Sequence, residues 1–251
     1  MARIGTAVLI AGVVASAGLS AGQSQAADEA TIYIIQGLPG KIVDVSVDGK
    51  TLARDVKTAG VVGPFKVRAG SRTLTFTDGG STLDEKKVSL KAGSSTDLVL
   101  HLPVSASDDP MVTAFKNDLA AVPKGKAAVS VAHTAAVPPA DIRVDGKVLF
   151  ANVANGESLY LVVPVGTYSV DIVPAGETKP VVLGPLDLAV KGGSLNRVYA
   201  VGDPSSKTMN VAVHVLSTPA MGSERPADVN TGTGGQAADL DAVFEHFGRS
   251  R

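Results

Sequence analysis

One seven-residue phrase occurs twice in this chain, 97 positions apart. The stretch DVSVDGK spans residues 44–50, and the near copy DIRVDGK spans residues 141–147. In each copy, apolar and polar residues alternate before an Asp-Gly pair, which is the pattern of a strand that ends in a type I′ turn. Asp and Gly tolerate the positive φ that both central turn positions require. Each copy therefore predicts a β-hairpin.

The similarity between the two copies extends well beyond the hairpin. VRAGSRTLTF at 67–76 matches VPVGTYSVDI at 163–172, and VSLKAGSST at 88–96 matches LAVKGGSLN at 188–196. The offset drifts between 96 and 100, as short insertions in loops produce. A repeat of about 100 residues is too long for a solenoid unit. The chain is therefore predicted to contain two copies of one small domain.

Turn residues separate short alternating runs along both copies, at a spacing of about ten residues. This spacing predicts two tandem antiparallel β-sandwiches of immunoglobulin-like type. Residues 31–118 form the first predicted sandwich, residues 119–126 the linker and residues 127–217 the second sandwich. The stretch at 108–122 fits a helix or a strand, but its counterpart at 207–216 alternates cleanly. Both stretches are therefore interpreted as the closing strand of their domain.

The composition limits both the core and the classes of function. Aromatic residues make up 4% of the chain and Trp is absent, so the predicted core consists of Val, Leu, Ile and Ala. A net charge of −1 and the scarcity of aromatic residues argue against a nucleic-acid partner. The chain has no cysteine, which excludes disulfides, thiolate nucleophiles and zinc–thiolate sites.

The N-terminus has the pattern of a secretory signal peptide over residues 1–26. Arg3 precedes an apolar run, and Ser24 and Ala26 stand at positions −3 and −1 of a small-residue cleavage site. A membrane anchor is the alternative, although the apolar run is short and rich in Gly and Ala. After cleavage no membrane span is expected, and the expected location is extracellular or loosely associated with the cell wall.

Residues 218–251 are predicted to form a disordered tail that contains a short helix at 237–247. The first part of the tail is rich in Gly, Thr, Asn and Pro. Four large apolar residues then recur at helical spacing: Leu240, Val243, Phe244 and Phe247. Such a stripe would pack either on the protein's own sandwiches or on a protein partner.

The second copy resembles the family called domain of unknown function 4397, which is common in exported actinobacterial proteins. The residues that carry the resemblance are a strand-ending His, a loop Pro, an Asp and a turn: His133, Pro138, Asp141, Asp145 and Gly146. The later VPVGTY at 163–168 also fits. The resemblance covers residues 127–216 well and 31–118 more loosely, since Gln36 stands in place of the His. It implies tandem β-sandwiches and no established catalytic residues.

His133 and Asp141 are the most prominent candidate site residues. A His and an Asp at adjacent strand ends could bind a metal or exchange protons. The structural alternative is that His133 hydrogen-bonds the following loop and Asp141 caps the turn before it. Gln36, at the position equivalent to His133, can hydrogen-bond but cannot act as a general base, which favours the structural alternative.

Other candidate groups are weaker. Calcium loops need several oxygens that converge over a short segment, whereas four aspartates lie at opposite ends of strands: Asp44, Asp48, Asp141 and Asp145. The chain contains no nucleophile elbow, zinc-protease motif or phosphate loop. The remaining histidines are interpreted as surface or strand residues: His101, His214 and His246. The sequence therefore predicts no catalytic, cofactor-binding or metal-binding residue.

Three functions are compatible with these features. The favoured one is a non-catalytic exported protein that serves as a binding or scaffold module of the cell envelope, because tandem sandwiches present loops for contact. A secreted enzyme with a site in the second domain or between the domains is the first alternative. An envelope subunit that recruits a partner through the C-terminal helix is the second. The ligand is not identified by any of these features.

Overall fold

The computed structural model describes residues 28–219 and 221, and these residues form sixteen β-strands with their connections. The predicted all-β class is confirmed. The predicted signal peptide at 1–26 and the predicted helix at 237–247 lie outside the described residues. In the described part of the chain, no helix has the length and apolar character that a membrane crossing needs.

The first eight strands form a sandwich of two four-stranded sheets. They are β1 (Glu29–Gln36), β2 (Ile42–Val47), β3 (Lys50–Lys57), β4 (Val61–Arg68), β5 (Gly70–Asp78), β6 (Ser81–Leu90), β7 (Ser95–His101) and β8 (Met111–Lys116). The strand orders of the two sheets are β4-β1-β7-β8 and β3-β2-β5-β6. Neighbouring strands are antiparallel, except that β1 and β7 run parallel.

The last eight strands repeat this arrangement. They are β9 (Lys126–Ala135), β10 (Ala140–Val144), β11 (Lys147–Val153), β12 (Ser158–Pro164), β13 (Gly166–Pro174), β14 (Leu183–Val190), β15 (Ser194–Gly202) and β16 (Asn210–Ser217). Their sheets have the orders β12-β9-β15-β16 and β11-β10-β13-β14. Each of these strands therefore corresponds to the strand numbered eight lower in the first sandwich. The parallel pair recurs as β9 and β15.

Each sandwich consists of two packed sheets, as an immunoglobulin domain does, but its strand order is different. Immunoglobulin sandwiches place the first two strands side by side in one sheet. Here β1 and β2 lie in opposite sheets, and β1 lies between β4 and β7. Period-2 alternation reports which face of a strand is buried and not which strand lies beside it, so the sequence pattern could not separate the two orders.

The repeated hairpin forms in both sandwiches as predicted. Between β2 and β3, Asp48 and Gly49 have φ of 49° and 78°. Between β10 and β11, Asp145 and Gly146 have φ of 51° and 74°. Positive φ at both central residues is the type I′ geometry, whose twist matches that of the flanking strands.

The stretch at 108–122, which fitted a helix or a strand, contains the strand β8, so its interpretation as a closing strand is confirmed.

The residues between β8 and β9 are not a free linker, because Val122 is buried against Ala128, Leu195 and Leu216. Both sandwiches belong to one compact unit of the chain. The sheet that contains β7 and β8 packs against the sheet that contains β9, β15 and β16.

Candidate functional site

The structure gives His133 and Asp141 separate hydrogen-bonding roles. His133 Nε2 lies 3.2 Å from the carbonyl oxygen of Pro138, which is the loop contact expected from the sequence. Asp141 does not cap the turn before it. Its two carboxylate oxygens accept hydrogen bonds from the backbone N–H groups of Asn152 and Gly176, at 2.8 and 2.9 Å. Asp141 thereby ties β11 and the turn after β13 to β10.

Gln36 has in the first sandwich the role that His133 has in the second. Its Nε2 donates to the carbonyl oxygens of Leu38 and Lys41, at 3.1 and 2.8 Å. Both side chains hold the loop that follows the first strand of their sandwich. Hydrogen bonding to the loop is thus sufficient to explain why this position carries Gln in the first copy of the repeat and His in the second.

The aspartates considered as calcium ligands hold neighbouring strands instead. Asp44 Oδ1 accepts a hydrogen bond from the backbone N–H of Asp55 at 2.9 Å, and Asp48 Oδ1 accepts one from Thr73 at 2.9 Å. In the second sandwich, Asp145 Oδ1 accepts the equivalent hydrogen bond from the backbone N–H of Ser169, at 3.4 Å. Among the described residues, no three His, Asp or Glu side chains converge in a way that could hold a metal ion.

A buried polar cluster, not predicted from the sequence, joins the two sandwiches. At its centre, Asp97 Oδ2 accepts a hydrogen bond from the Tyr199 hydroxyl at 2.6 Å and lies 2.8 Å from His214 Nδ1. Asp97 Oδ1 accepts a hydrogen bond from Asn117 Nδ2 at 2.6 Å. Arg197 Nε lies 3.9 Å from Asp97 Oδ2. We call these five buried side chains the interface cluster.

The interface cluster is built from reciprocal contacts between the two copies of the repeat. The pairing registers make Asp97 on β7 equivalent to Arg197 on β15, and Phe115 on β8 equivalent to His214 on β16. His214 bonds to Asp97, and the guanidinium of Arg197 lies 5.5 Å from the ring centroid of Phe115. The two copies therefore pack the equivalent face of their equivalent sheets against each other. The position that carries Asp97 in the first copy carries the oppositely charged Arg197 in the second.

Burial on both faces of the central strands explains this cluster. One face of β7 or β15 packs inside its own sandwich and the other packs against the neighbouring sandwich, so these strands are buried along nearly their whole length. His101 and His214 are consequently buried, so of the two alternatives, surface or strand residues, the structure confirms the strand position. His246 lies outside the described residues. A usable signal was present, since Asp97 and Arg197 are opposite charges at one repeat position of otherwise mainly apolar strands.

The interface cluster has the residue types of a proton-transfer site but no exposure to a substrate. Burial, and secondarily the charge of Asp97, raises the pKa of the Tyr199 hydroxyl well above its ordinary value. Tyr199 is therefore a hydrogen-bond donor at neutral pH. Arg197 also donates to the Lys116 carbonyl at 2.8 Å and to Asn117 Oδ1 at 3.1 Å. These pairings make the cluster a structural connection between the sandwiches.

A second feature is the space between the two sheets of the second sandwich. An apolar cavity of about 140 Å³ lies between Leu149 of β11 and Leu161 of β12. We call this the β11–β12 cavity. A second apolar cavity, of about 230 Å³, lies between Leu186 of β14 and Val213 of β16, and we call it the β14–β16 cavity. The two cavities lie between the same pair of sheets.

Smaller side chains at equivalent positions leave this space. The pairing registers relate four fully buried residues of the first sandwich to smaller residues of the second: Leu74 to Val170, Phe76 to Ile172, Leu98 to Val198 and Leu100 to Ala200. Other positions change in the opposite sense: Val45 corresponds to Ile142, Val88 to Leu188 and the partly buried Ala53 to Phe150. Unfilled space nevertheless remains between the sheets of the second sandwich.

The sheet edges of the second sandwich are also more open and more apolar than those of the first. In the first sandwich β3 lies against β4 and β6 against β8, whereas the corresponding pairs of the second sandwich make no comparable approach. Lys86 and Lys116 of the first sandwich correspond to Leu186 and Val215, which are 38% and 51% exposed. Lysines commonly protect sheet edges. The second sandwich has an apolar interior and apolar edges.

We expect Asp97→Asn to lower the free energy of unfolding by about 3–5 kcal/mol, because Arg197 and His214 would stay buried without a carboxylate. Chemical denaturation followed by far-UV circular dichroism measures the change. Glu85→Gln, an exposed acid-to-amide change on β6, is the control and should change stability by less than about 0.5 kcal/mol. A loss below about 1 kcal/mol for Asp97→Asn would show that the interface cluster does not hold the sandwiches together.

We expect stability to fall as the pH drops from about 6.5 to 4. His101 is buried, donates from Nδ1 to the Leu102 carbonyl and contacts Thr113 Oγ1 through Nε2. Burial, with a smaller contribution from nearby His133, lowers the pKa of His101 from 6.5 to about 4. The unfolded chain therefore binds a proton in this window and the folded chain does not, so acid favours unfolding, by on the order of 3 kcal/mol at pH 4.

The measurement for the His101 prediction is the free energy of unfolding at intervals from pH 7.5 to 4. His101→Gln removes the titrating ring and should flatten the curve over this window. His133→Gln is the matched control, because Gln36 already serves at that position of the repeat; it should flatten the curve only in part, since burial also lowers the pKa of His133. An unchanged slope in His101→Gln would contradict the assignment.

Comparison with known proteins matches part of the chain to one family. Residues 30–140 match the family described as Domain of unknown function (DUF4397). The match includes the first sandwich from the second residue of β1 onward, where the sequence resemblance is looser, and in the second sandwich it ends at the first residue of β10. No curated protein matches the chain. The resemblance noted in the sequence is confirmed over residues 30–140, which match the DUF4397 family.

Proposed function

We propose that this protein is a non-catalytic exported binding module that holds an apolar ligand between the sheets of its second sandwich. The observation that supports it is the incompletely filled apolar interior described above, which lies open to both edges of that sandwich. The first sandwich has the same strand order, with larger side chains fully buried at four equivalent positions of its core. The difference lies in side-chain size and not in the fold.

An empty apolar cavity is energetically unfavourable. Cavities in protein cores cost about 24 cal/mol per Å³ of residual volume, and apolar cavities stay dry and take up apolar molecules. A ligand that fills the space between the sheets gains the transfer and packing free energy that larger side chains supply in the first sandwich. Binding of an apolar ligand is therefore favourable without any specific polar contact.

The polar groups beside the cavities favour binding over catalysis. The Tyr168 hydroxyl, at the β11–β12 cavity, donates to the Pro164 carbonyl at 2.8 Å. At the β14–β16 cavity, the Asp171 carboxylate is paired with Arg143 at 2.6 and 2.8 Å. Asp187, the other carboxylate there, has no ion-pair partner among the described residues. This set supplies no nucleophile beside a base.

Export is the second part of the proposal, and the N-terminal pattern of Arg3, an apolar run and the small residues Ser24 and Ala26 supports it. Expression in a secreting bacterial host should deliver to the medium a protein whose N-terminal sequencing begins at Ala27. Ala26→Leu, which places a large residue at position −1, should abolish cleavage there. Retention of the wild-type chain in the cell with Met1 intact would contradict export.

Ligand binding can be tested with a neutral apolar fluorophore, N-phenyl-1-naphthylamine. We expect saturable binding by the wild-type chain and a loss of about tenfold or more in affinity for Val198→Leu combined with Ala200→Leu. These substitutions place in the second sandwich the residues that the first already accommodates, so we also expect stability to rise, by about 1 kcal/mol.

The matched control reverses the exchange. Leu98→Val combined with Leu100→Ala should lower the stability of the first sandwich, by about 2–5 kcal/mol for the Ala substitution alone. It should leave the affinity of the second sandwich for the fluorophore unchanged. Absence of saturable binding by the wild-type chain, or equal binding by the filled variant, would contradict the proposed function.

A further inference from the structure

We infer that the ligand is a single unbranched alkyl chain that lies across the second sandwich, from the β11–β12 edge to the β14–β16 edge. This inference rests on the proposed function and specifies the class of ligand. It follows from the shared lining residues of the two cavities, the chemistry of their walls and the apolar residues exposed at the two edges.

The two cavities are neighbours, because three side chains line both of them. Val131, Val170 and Leu188 line both of them. Val131 belongs to β9 and Val170 to β13, which are inner strands of the two facing sheets. The third shared residue, Leu188, lies on the edge strand β14. A single ligand that fills both cavities must pass beside these three side chains, so it must be long and narrow.

The walls select an alkyl chain over a polar or branched molecule. The β11–β12 cavity is lined by aliphatic side chains and Tyr168, whose hydroxyl is already bonded. Among the residues that line the β14–β16 cavity, the polar side chains are those of Asp171 of β13, which is paired with Arg143, and Asp187 of β14. The three residues that line both cavities are all aliphatic. A polar group in the centre would lose its hydration without replacement, which is unfavourable.

Both ends of the passage are apolar at the surface. Val148 and Leu149 of β11 are 52% and 45% exposed, and Val213 of β16 is 44% exposed. The pairing registers relate Val148 to Thr51 in the first sandwich, a polar residue. Because each end opens at an edge, the polar head of a chain can remain in water while the alkyl part is buried.

The test is calorimetric titration of the chain from Ala27 onward with a homologous series of straight-chain primary alcohols. We expect one alcohol per protein. Affinity should rise about fourfold for each added methylene, which corresponds to the free energy of burying one methylene. The rise should stop when the chain spans the passage. Branched isomers of the same carbon number should bind more weakly, because a branch does not fit beside Val131, Val170 and Leu188.

Two variants narrow one cavity each with residues that the first sandwich already uses. Leu161→Phe copies Phe65 at the β11–β12 cavity, and Ala200→Leu copies Leu100 at the β14–β16 cavity. If one chain crosses the sandwich, either variant lowers the chain length at which affinity stops rising and keeps a stoichiometry of one. Circular dichroism checks folding, and if a variant does not fold, the wild-type stoichiometry and length dependence decide alone.

A stoichiometry of two, with each variant removing one independent short-chain site, would overturn the inference. Binding of the fluorophore without binding of any alcohol would overturn it and leave the proposed function standing, whereas binding of neither would contradict both. Co-sedimentation with phosphatidylcholine vesicles, lost in Ala200→Leu, would identify the chain of a membrane lipid as the ligand. Binding restricted to alcohols in solution would identify a free chain, and either of these two results supports the passage.

Discussion

Two β-sheets that pack face to face lie about 10 Å apart, and side chains must fill the space between them. This requirement governs both halves of the protein. The first sandwich meets it with large residues, and Leu74, Phe76, Leu98 and Leu100 are fully buried there. The second sandwich has the same strand order with smaller residues at the equivalent positions, so its sheets enclose unfilled apolar space. One fold thereby supplies one core with larger buried side chains and one that encloses apolar cavities.

The interface between the sandwiches holds the open sandwich in place. Asp97 bonds to Tyr199, His214 and Asn117, and every one of these side chains is buried. Breaking such a cluster would leave charges in a low-dielectric environment without partners, which is strongly unfavourable. The sheet of β9, β15 and β16 is therefore supported from outside by the first sandwich, independently of how well its inner face is packed. This arrangement allows the second core to remain incompletely filled.

Local patterns were sufficient to predict the strands and the turns. Asp-Gly at 48–49 and 145–146 predicts type I′ geometry because few residues tolerate positive φ, and the observed angles agree. The strand order could not be predicted, because alternation does not identify neighbours. The interface cluster depends on which outer faces meet, which no local pattern reports. The cavities depend on pairs such as Leu100 and Ala200, whose equivalence becomes reliable only when the registers of β7 and β15 are known.

The central claim is that the second sandwich contains dry apolar space where the first does not. The most direct measurement is a crystal structure of the protein under xenon pressure, because xenon enters dry apolar cavities without needing polar contacts. The account predicts xenon between the sheets of the second sandwich, beside Val131, Val170 and Leu188, and none between the sheets of the first. Absence of xenon from the second sandwich, or equal occupancy in both, would contradict it.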